Sequence, residues 1–403
     1  MAPTSSVAPF SPGIVTPLKR TAAPLYSSPG ILPLSSSFDS VDLKLLWHYT
    51  VKTCCTTLTV DPSYQRLSED ILRTSIVSHA FDNPFLLDTV LALACLDLQT
   101  LDPNFPRGRS LVYRTRAIES YRCAVQTASP NSFPALTANS LFLTVLTSQN
   151  FRDPNNQDLY IIDWMLVWRG ITVIIDFIGL DALVDSGFGI ILFRPTIDLD
   201  AAAFAIPNHL FFMASSIPVS DSDNPHILAY LTTLKFLGSL YLHLHAGFGS
   251  NLSLRITTWF TYIPRAFTDL CKLRRPRALV ILAHYAAFVK LVQEVWWLKG
   301  VGERSIADIA AYLDIEWQPL LRVPIAASVH TDKLSIARAI LEDPTWTNPN
   351  CPRADLDVDF AVFRESDPHD AAFRHLQREQ QQDADTDLRV DADFIQRGRQ
   401  AAI

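Results

Sequence analysis

Apolar residues recur at spacings of three and four through most of this chain, and this period limits its fold more than any other feature. The segment after Asn83 shows it clearly, with apolar side chains at Leu86, Leu87, Val90, Leu91, Ala94 and Leu98. These spacings place side chains on one face of a helix, whereas a strand needs alternation, which is nearly absent here. We therefore predict an all-α fold of helices that each bury one face.

Further helices are predicted at residues 109–128, 134–149, 157–178, 226–245, 254–271, 276–298 and 303–314. Two helix starts are marked by the triplets Asp82–Pro84 and Asp223–Pro225, in which a capping side chain precedes a proline that has no amide hydrogen. Between residues 179 and 222, glycines and prolines interrupt the helical period. This stretch is predicted to be a long connection that folds back over the helices.

Composition divides the chain into three parts. Residues 1–38 are rich in proline and serine and are predicted to form a disordered arm, because they cannot bury enough apolar surface to offset the entropy of ordering. Residues 39–330 are predicted to form one helical domain. Residues 331–403 are predicted to form a variable, weakly ordered tail with acidic residues at Asp383, Asp385, Asp387, Asp391 and Asp393.

Of the 403 residues, 48% are hydrophobic and 19% are charged, which is typical of a globular protein with a large core. The formal net charge of -7 disfavours nucleic-acid binding by the chain as a whole. Six cysteines, scattered between Cys54 and Cys351, fit neither a secreted disulfide framework nor a binuclear zinc cluster. Charged residues interrupt every window of about 18 apolar residues, so we expect no membrane span.

No sequence motif commits the chain to catalysis, and we predict no catalytic residue, metal or cofactor. Each of the three Gly-x-Gly triplets lacks the third glycine of a dinucleotide-binding turn. The pair His243 and His245 is two residues apart, which on a helix turns the two rings about 200° away from each other. These histidines are therefore interpreted as ordinary, partly buried residues.

A basic cluster lies at Lys272, Arg274, Arg275 and Arg277. Such a cluster can serve as a nuclear-import address or contact phosphate. The alternative is a solvated junction between two helices, where cations are favourable at the carboxyl end of the first.

A ligand pocket is predicted between two strongly apolar helices that carry isolated polar groups. Its residues are Trp164, Trp168, Arg169, His284, Tyr285, Phe288 and Trp296. The indole and phenyl rings would form apolar walls, and Arg169 or His284 would orient a hydroxyl or carboxylate of the ligand. The alternative is a packed core in which Arg169 satisfies a carboxylate such as Asp163 or Asp176 and His284 satisfies a backbone carbonyl.

Five segments occur in the order found in a known family. They are Asp42–Thr50, Asn83–Ala94, Trp168–Ile171, Arg275–Tyr285, and Trp296–Trp297 with Gly300 and Gly302 before Trp317. Together they resemble the C-terminal regulatory domain of fungal zinc-cluster transcription factors, in the branch of the sterol uptake control proteins. The resemblance covers roughly residues 40–325.

The resemblance implies an all-helical regulatory domain that often senses a lipid or another apolar effector, joined to an N-terminal zinc cluster that reads DNA. No cysteine precedes Cys54, so we expect DNA to be reached only through a partner or through a zinc-cluster module absent from this sequence. Reuse of the fold for another task is a third account, and the residues leave all three open.

Two functions follow from the resemblance. The first is a nuclear transcription regulator or co-regulator of a fungal metabolic or secondary-metabolite pathway, whose helical domain senses a sterol-like or terpenoid-like molecule. It would act as a dimer or through another regulator. The second is a cytoplasmic enzyme or carrier that uses the same apolar cavity for a terpenoid or polyketide intermediate.

Overall fold

A computed structural model describes residues 39–349, except 103–104, 155–157, 180–182 and 184–186. Every regular element among those residues is a helix or a helical turn, so the predicted all-α class is confirmed. The expectations for the arm at residues 1–38 and for residues 350–403 lie outside the described residues.

The amino-terminal part is a run of short helices that leads into one long one. The helices are α1 (Ser40–His48), α2 (Cys54–Thr57), α3 (Gln65–Asp70), α4 (Ile76–Asp82) and α5 (Pro84–Leu101). Two five-residue turns of wider π-helical geometry, Tyr49–Thr53 and Ile71–Ser75, continue α1 and α3. Helix α5 begins at the predicted proline, but the amide of Asn83 donates back to the carbonyl of His79 and does not cap α5.

Helix α5 is surrounded by other helices on nearly all sides. Its neighbours include α1, α6 (Arg107–Gln126) and α7 (Phe133–Ser148), and α7 in turn packs on α8 (Tyr160–Ile178). All residues of α5 from Phe85 to Asp97 are buried, so the expectation of a single buried face is wrong for this helix. An internal helix has no face in contact with solvent and can be apolar all round.

Two helical segments, Pro84–Leu101 and Asn224–His245, are long and apolar enough by composition to cross a membrane. However, 72% and 78% of their most apolar windows are buried inside the fold. Buried core helices of water-soluble domains have the same composition.

The connection predicted at residues 179–222 does fold back over the helices, and it is itself partly helical. Among its described residues it forms α9 (Gly189–Leu192), α10 (Leu199–Phe204) and α11 (Asn208–Ser215). Helix α10 lies against α12 (Ile227–His245) at Gly238. A Cβ atom at Gly238 would lie 2.2 Å from the carbonyl oxygen of Ala202, so only glycine permits this approach.

The carboxyl-terminal part consists of α13 (Ser250–Thr258), α14 (Arg265–Lys272), α15 (Pro276–Val289), α16 (Val301–Tyr312), α17 (Arg322–Ser328) and α18 (Lys333–Leu341). The helix predicted over 254–271 is broken, because Pro264 has no amide hydrogen and starts α14 anew. The helix predicted over 276–298 ends at Val289 and passes into a tight 3-10 turn.

The domain extends beyond the predicted boundary at residue 330. In α18, Ile336, Ala337 and Ile340 are buried in the same core as the preceding helices, and Trp346 follows them. The buried ammonium of Lys290 donates to the carbonyl oxygens of Ser328 and His330 at 2.6 and 2.8 Å. The start of the predicted tail is therefore part of the folded domain.

Candidate functional site

An aromatic side chain lies between the two halves of the predicted ligand site. Trp164 on α8 is fully buried, and its ring contacts that of Phe260 edge to face with centroids 5.6 Å apart. Phe260 lies in the turn Trp259–Thr261 between α13 and α14 and also contacts Tyr285 on α15, at 4.8 Å. The space predicted to hold a ligand between α8 and α15 thus contains Phe260.

Two indoles near this junction have unsatisfied N–H groups. Trp168 packs edge to face on Trp164 with centroids 6.0 Å apart, and Trp164 donates its own N–H to the carbonyl of Thr144 at 2.9 Å. The Nε1 atoms of Trp168 and Trp259 are buried and have no hydrogen-bond partner among the described residues. A buried donor without an acceptor is unfavourable, so water or a ligand acceptor at either atom would stabilise the site.

The other predicted site residues make contacts within the protein. Arg169 donates to the carbonyl oxygen of Ile263 at 3.1 Å. Tyr285 donates to the carbonyl of Ile256 and stacks on Trp259, while Phe288 packs edge to face on Tyr241. The half-buried Trp296 accepts a hydrogen bond at its carbonyl oxygen from Arg152.

His284 is held between two partners in the core. Its Nε2 lies 3.0 Å from the carbonyl oxygen of Leu320, which can only accept, so Nε2 carries the proton. Nδ1 then accepts a hydrogen bond from the hydroxyl of Tyr241, 3.1 Å away. Burial lowers the pKa of His284 to about 3, which keeps the ring neutral at physiological pH. This backbone contact is the one anticipated if the ring belongs to a packed core.

The basic cluster spans the junction between α14 and α15, and three of its four side chains have polar partners. Lys272 pairs with Asp269 one turn earlier in α14. Arg274 lies two residues after the end of α14 and has a positive φ of 52°. The N–H groups of Arg274 and Arg275 close the helix end on the carbonyls of Cys271 and Leu270. This is the Schellman arrangement, in which glycine is the usual residue at the left-handed position.

Arg277 is bound by two carboxylates from the connection between α11 and α12. Its guanidinium donates to Asp221 at 2.8 Å and to Asp223 at 3.0 Å, and Arg275 donates to Ser222 at 2.8 Å. The side chain of Arg277 is only 16% exposed. Of the four cluster residues, Lys272 and Arg274 are the exposed ones. The structure thus places Arg277 in an ion-paired, mostly buried position and leaves Lys272 and Arg274 exposed.

Two surface clefts lie near these elements, and neither is lined by the seven residues of the predicted ligand pocket. The α14–α16 cleft, about 470 Å³ in volume, is lined by Arg274, Arg275, Tyr312 and Trp317. The α17–α18 cleft, about 530 Å³, is lined mainly by residues of α17 and α18. Both volumes fall within the range of about 300–1,000 Å³ that is usual for ligand pockets.

A buried polar pair that the sequence did not indicate joins α1 to α5. Nε2 of His48 lies 2.8 Å from Oδ2 of Asp97, and the hydroxyl of Thr53 donates to the same oxygen at 2.9 Å. The partners are separated by more than forty residues, so no local spacing could reveal them. His48 belongs to the first family-like segment.

No group of three or more histidine, cysteine, aspartate or glutamate side chains suited to hold a metal ion occurs in the part of the chain that the structure describes. His243, one of the two histidines considered from the sequence, has its Nδ1 2.7 Å from the carbonyl of Ser239 and accepts at Nε2 from Arg255.

Comparison with known proteins extends the family resemblance. No protein-family model matches the chain. It is 26% identical over 371 residues to a Zn(2)-C6 fungal-type transcription factor of Gibberella zeae, with 78% of this chain and 71% of that protein aligned. It is 23% identical over 331 residues to Sterol uptake control protein 2 of Candida albicans, and covers 44% of that protein with 75% of its own length. The chain is thus related to the fungal Zn(2)-C6 transcription factors, as the order of its sequence segments predicted.

Proposed function

We propose that this chain is a nuclear transcription regulator or co-regulator of a fungal metabolic pathway. The observation that carries the proposal is its relation, over about three quarters of its length, to two fungal proteins whose names describe transcriptional or sterol-uptake control. The all-helical fold of the described residues agrees with it, because such a domain offers a large folded surface for effectors and partners.

Contact with DNA is proposed to come from a partner or from a zinc-cluster module outside this sequence. The net charge of -7 opposes attraction to phosphate. Arg277, which the sequence offered as a phosphate contact, is instead bound by Asp221 and Asp223. The carboxylates neutralise this part of the basic cluster, so the helix junction is a poor site for a phosphate backbone.

Sensing of an apolar, sterol-like or terpenoid-like effector is the finer part of the proposal. It is supported by the concentration of aromatic rings around Trp164 and by the unpartnered indole N–H groups of Trp168 and Trp259. A ligand hydroxyl or carbonyl could accept from such an N–H, provided that Phe260 moves to admit the apolar body.

A reporter experiment tests the regulator function. The chain is fused to an unrelated sequence-specific DNA-binding module in yeast, and transcription of a reporter that carries the matching site is compared with that given by the module alone. We expect the fusion to change the reporter transcript level. An unchanged level, with fusion protein present in the nucleus, would contradict the proposal.

Tryptophan fluorescence tests the effector separately. Sterol and terpenoid probes are titrated into the wild-type chain and into Trp296→Ala and Arg169→Leu variants whose thermal unfolding shows that they remain folded. We expect saturable binding by the wild type and weaker binding by at least one variant. Equal affinity in all three proteins would remove these residues from the site, and no binding of any probe would favour a protein-interaction surface.

A further inference from the structure

The α17–α18 cleft has an apolar floor and a basic rim. Val323 and Ala326 of α17 and Ala339 of α18 line its floor. Arg322 and Arg338, here called its basic rim, also line the cleft, together with His330 and the acidic Glu342. A cleft of this kind fits a short peptide that carries apolar side chains on one side and acidic ones on the other.

The two arginines keep donors for such a peptide. The side chain of Arg322 is 76% exposed and pairs with Glu342 at the surface. Arg338 uses Nε to donate to the carbonyl of Trp346 at 2.9 Å. A guanidinium has five N–H donors, so these contacts leave both groups able to bind further carboxylate oxygens.

The chain itself contains a matching segment shortly after the cleft. The sequence Asp355-Leu356-Asp357-Val358-Asp359-Phe360 alternates acidic and apolar residues. In an extended peptide, alternate side chains point to opposite sides. The period would therefore give this segment one apolar edge, suited to the alanine and valine floor, and one acidic edge, suited to the arginine rim. Residues 355–370 carry six acidic side chains and one arginine.

The tether is short enough to bring the two together. The described chain ends at Pro349, five residues after Pro344, which lines the cleft. Residues 350–354 separate this end from the acidic segment and span at most about 20 Å when extended. A short linker gives the segment an effective concentration of about 1 mM at the cleft. If the contact has a dissociation constant of about 0.1 mM, about ten docked molecules are present for each undocked one.

We propose that residues 355–363 of this chain dock into the α17–α18 cleft, with their apolar side chains on the floor and their carboxylates at Arg322 and Arg338. Docking withdraws an acidic, apolar segment from other partners. Release of the segment, by a competitor for the cleft or by high salt, would expose it.

Cleavage by chymotrypsin in the purified full chain tests this proposal. Phe363 lies in the docked segment, and Phe373 lies beyond it and provides an internal reference for the same digest. We expect the rate of cleavage after Phe363, relative to Phe373, to rise about ten-fold in an Arg322→Glu, Ala326→Glu variant, in line with the ratio set by the tether. Both positions are exposed, so the fold should persist.

A charge swap and a matched control separate docking from general electrostatics. The double change Asp357→Arg, Asp359→Arg should release the segment in the wild-type background and restore protection when combined with Arg322→Glu. Arg265→Glu makes the same charge change at an exposed site on α14 and should leave the relative rate unchanged.

Three results would overturn the proposal. One is an equal relative rate in the wild type and the cleft variants, and another is an equal effect of Arg265→Glu. The third is protection that increases with protein concentration, because it would place the segment in the cleft of a second copy. If a cleft variant fails to fold, the wild-type chain decides: docking predicts that the relative rate rises with salt, and a salt-independent rate contradicts it.

Discussion

His48 and Asp97 connect α1 to α5 through a buried hydrogen bond, with Nε2 of the imidazole 2.8 Å from Oδ2 of the carboxylate. Thr53, in the turn that continues α1, donates to the same carboxylate oxygen. Helix α1 is short and exposes Leu43 and Trp47 to solvent, so its attachment depends on a few contacts on its inner face. The carboxylate of Asp97 is the acceptor shared by two of them.

Replacement of this carboxylate should therefore destabilise the domain. We expect Asp97→Ala to lower the free energy of unfolding by about 2–4 kcal/mol, because it leaves the buried His48 and Thr53 groups without their acceptor. Denaturant unfolding measures the change. Asp70→Ala, an exposed aspartate on α3, is the control and should stay within about 0.5 kcal/mol of the wild type. Equal effects of the two substitutions would refute the assigned role of Asp97.

Two helical glycines should respond oppositely to alanine. At Gly238 the new Cβ would lie 2.2 Å from the carbonyl oxygen of Ala202, so α10 must move and we expect a loss of about 1–3 kcal/mol. At Gly170 in α8 the Cβ would meet no atom within 4 Å, and alanine should stabilise the helix by about 0.5–1 kcal/mol. Thermal unfolding of both variants checks the prediction, which fails if Gly238→Ala is as stable as Gly170→Ala.

The free energy of unfolding should decrease as the pH is lowered, and part of this decrease should depend on His284. Its pKa is about 3 in the folded protein, against an ordinary value of 6.5, because burial disfavours the charged ring. The unfolded chain therefore binds a proton below pH 6.5 that the folded protein does not take up until near pH 3. The contribution of the neutral ring is fully present above pH 6.5 and is lost progressively between these values.

His284 should account for a decrease of about 1 kcal/mol in the free energy of unfolding between pH 8 and pH 5.5. Denaturant unfolding at the two pH values measures it. His284→Gln should flatten the dependence by that amount, whatever its effect on stability at pH 8. His245→Gln, an exposed histidine on the same helix as Tyr241, should not flatten it. Parallel pH curves for wild type and His284→Gln would contradict the assignment.

The helical period predicted the long helices well because each contributes many apolar residues to one core. It could not show that α5 and α15 are buried on nearly every side, since an internal helix and an amphipathic one share much of the same spacing. It also joined α13 to α14, although Pro264 marks the break. Apolar residues before and after Pro264 belong to one core cluster, so the helical spacing of apolar residues continues across the proline.

Prediction of the site was limited by contacts distant in sequence. Phe260 comes from a short turn, yet it lies between Trp164 and Tyr285. Arg277 is satisfied by carboxylates more than fifty residues away, in a connection whose path no local pattern specifies. The backbone partner of His284 was anticipated, because a buried imidazole requires one, but the identity of Leu320 follows only from the packed structure.

The purified chain should not read a DNA sequence by itself. Its net charge is -7, and Arg277 in its main basic cluster is bound by carboxylates. We expect equal, weak binding to promoter and scrambled duplexes in a mobility-shift assay at physiological salt. A preference of about a thousand-fold or more for one sequence, the usual mark of specific recognition, would show a reading element in this chain.

Regulation of transcription is the central claim, and occupancy of promoters in the source organism tests it most directly. An epitope-tagged chain, expressed from its own locus, is cross-linked to chromatin, and the bound DNA is compared with the transcripts that change when the gene is deleted. The regulator account predicts enrichment at promoters of a set of metabolic genes whose transcript levels shift in the deletion strain. Absence of promoter enrichment together with an unchanged set of transcripts would contradict it.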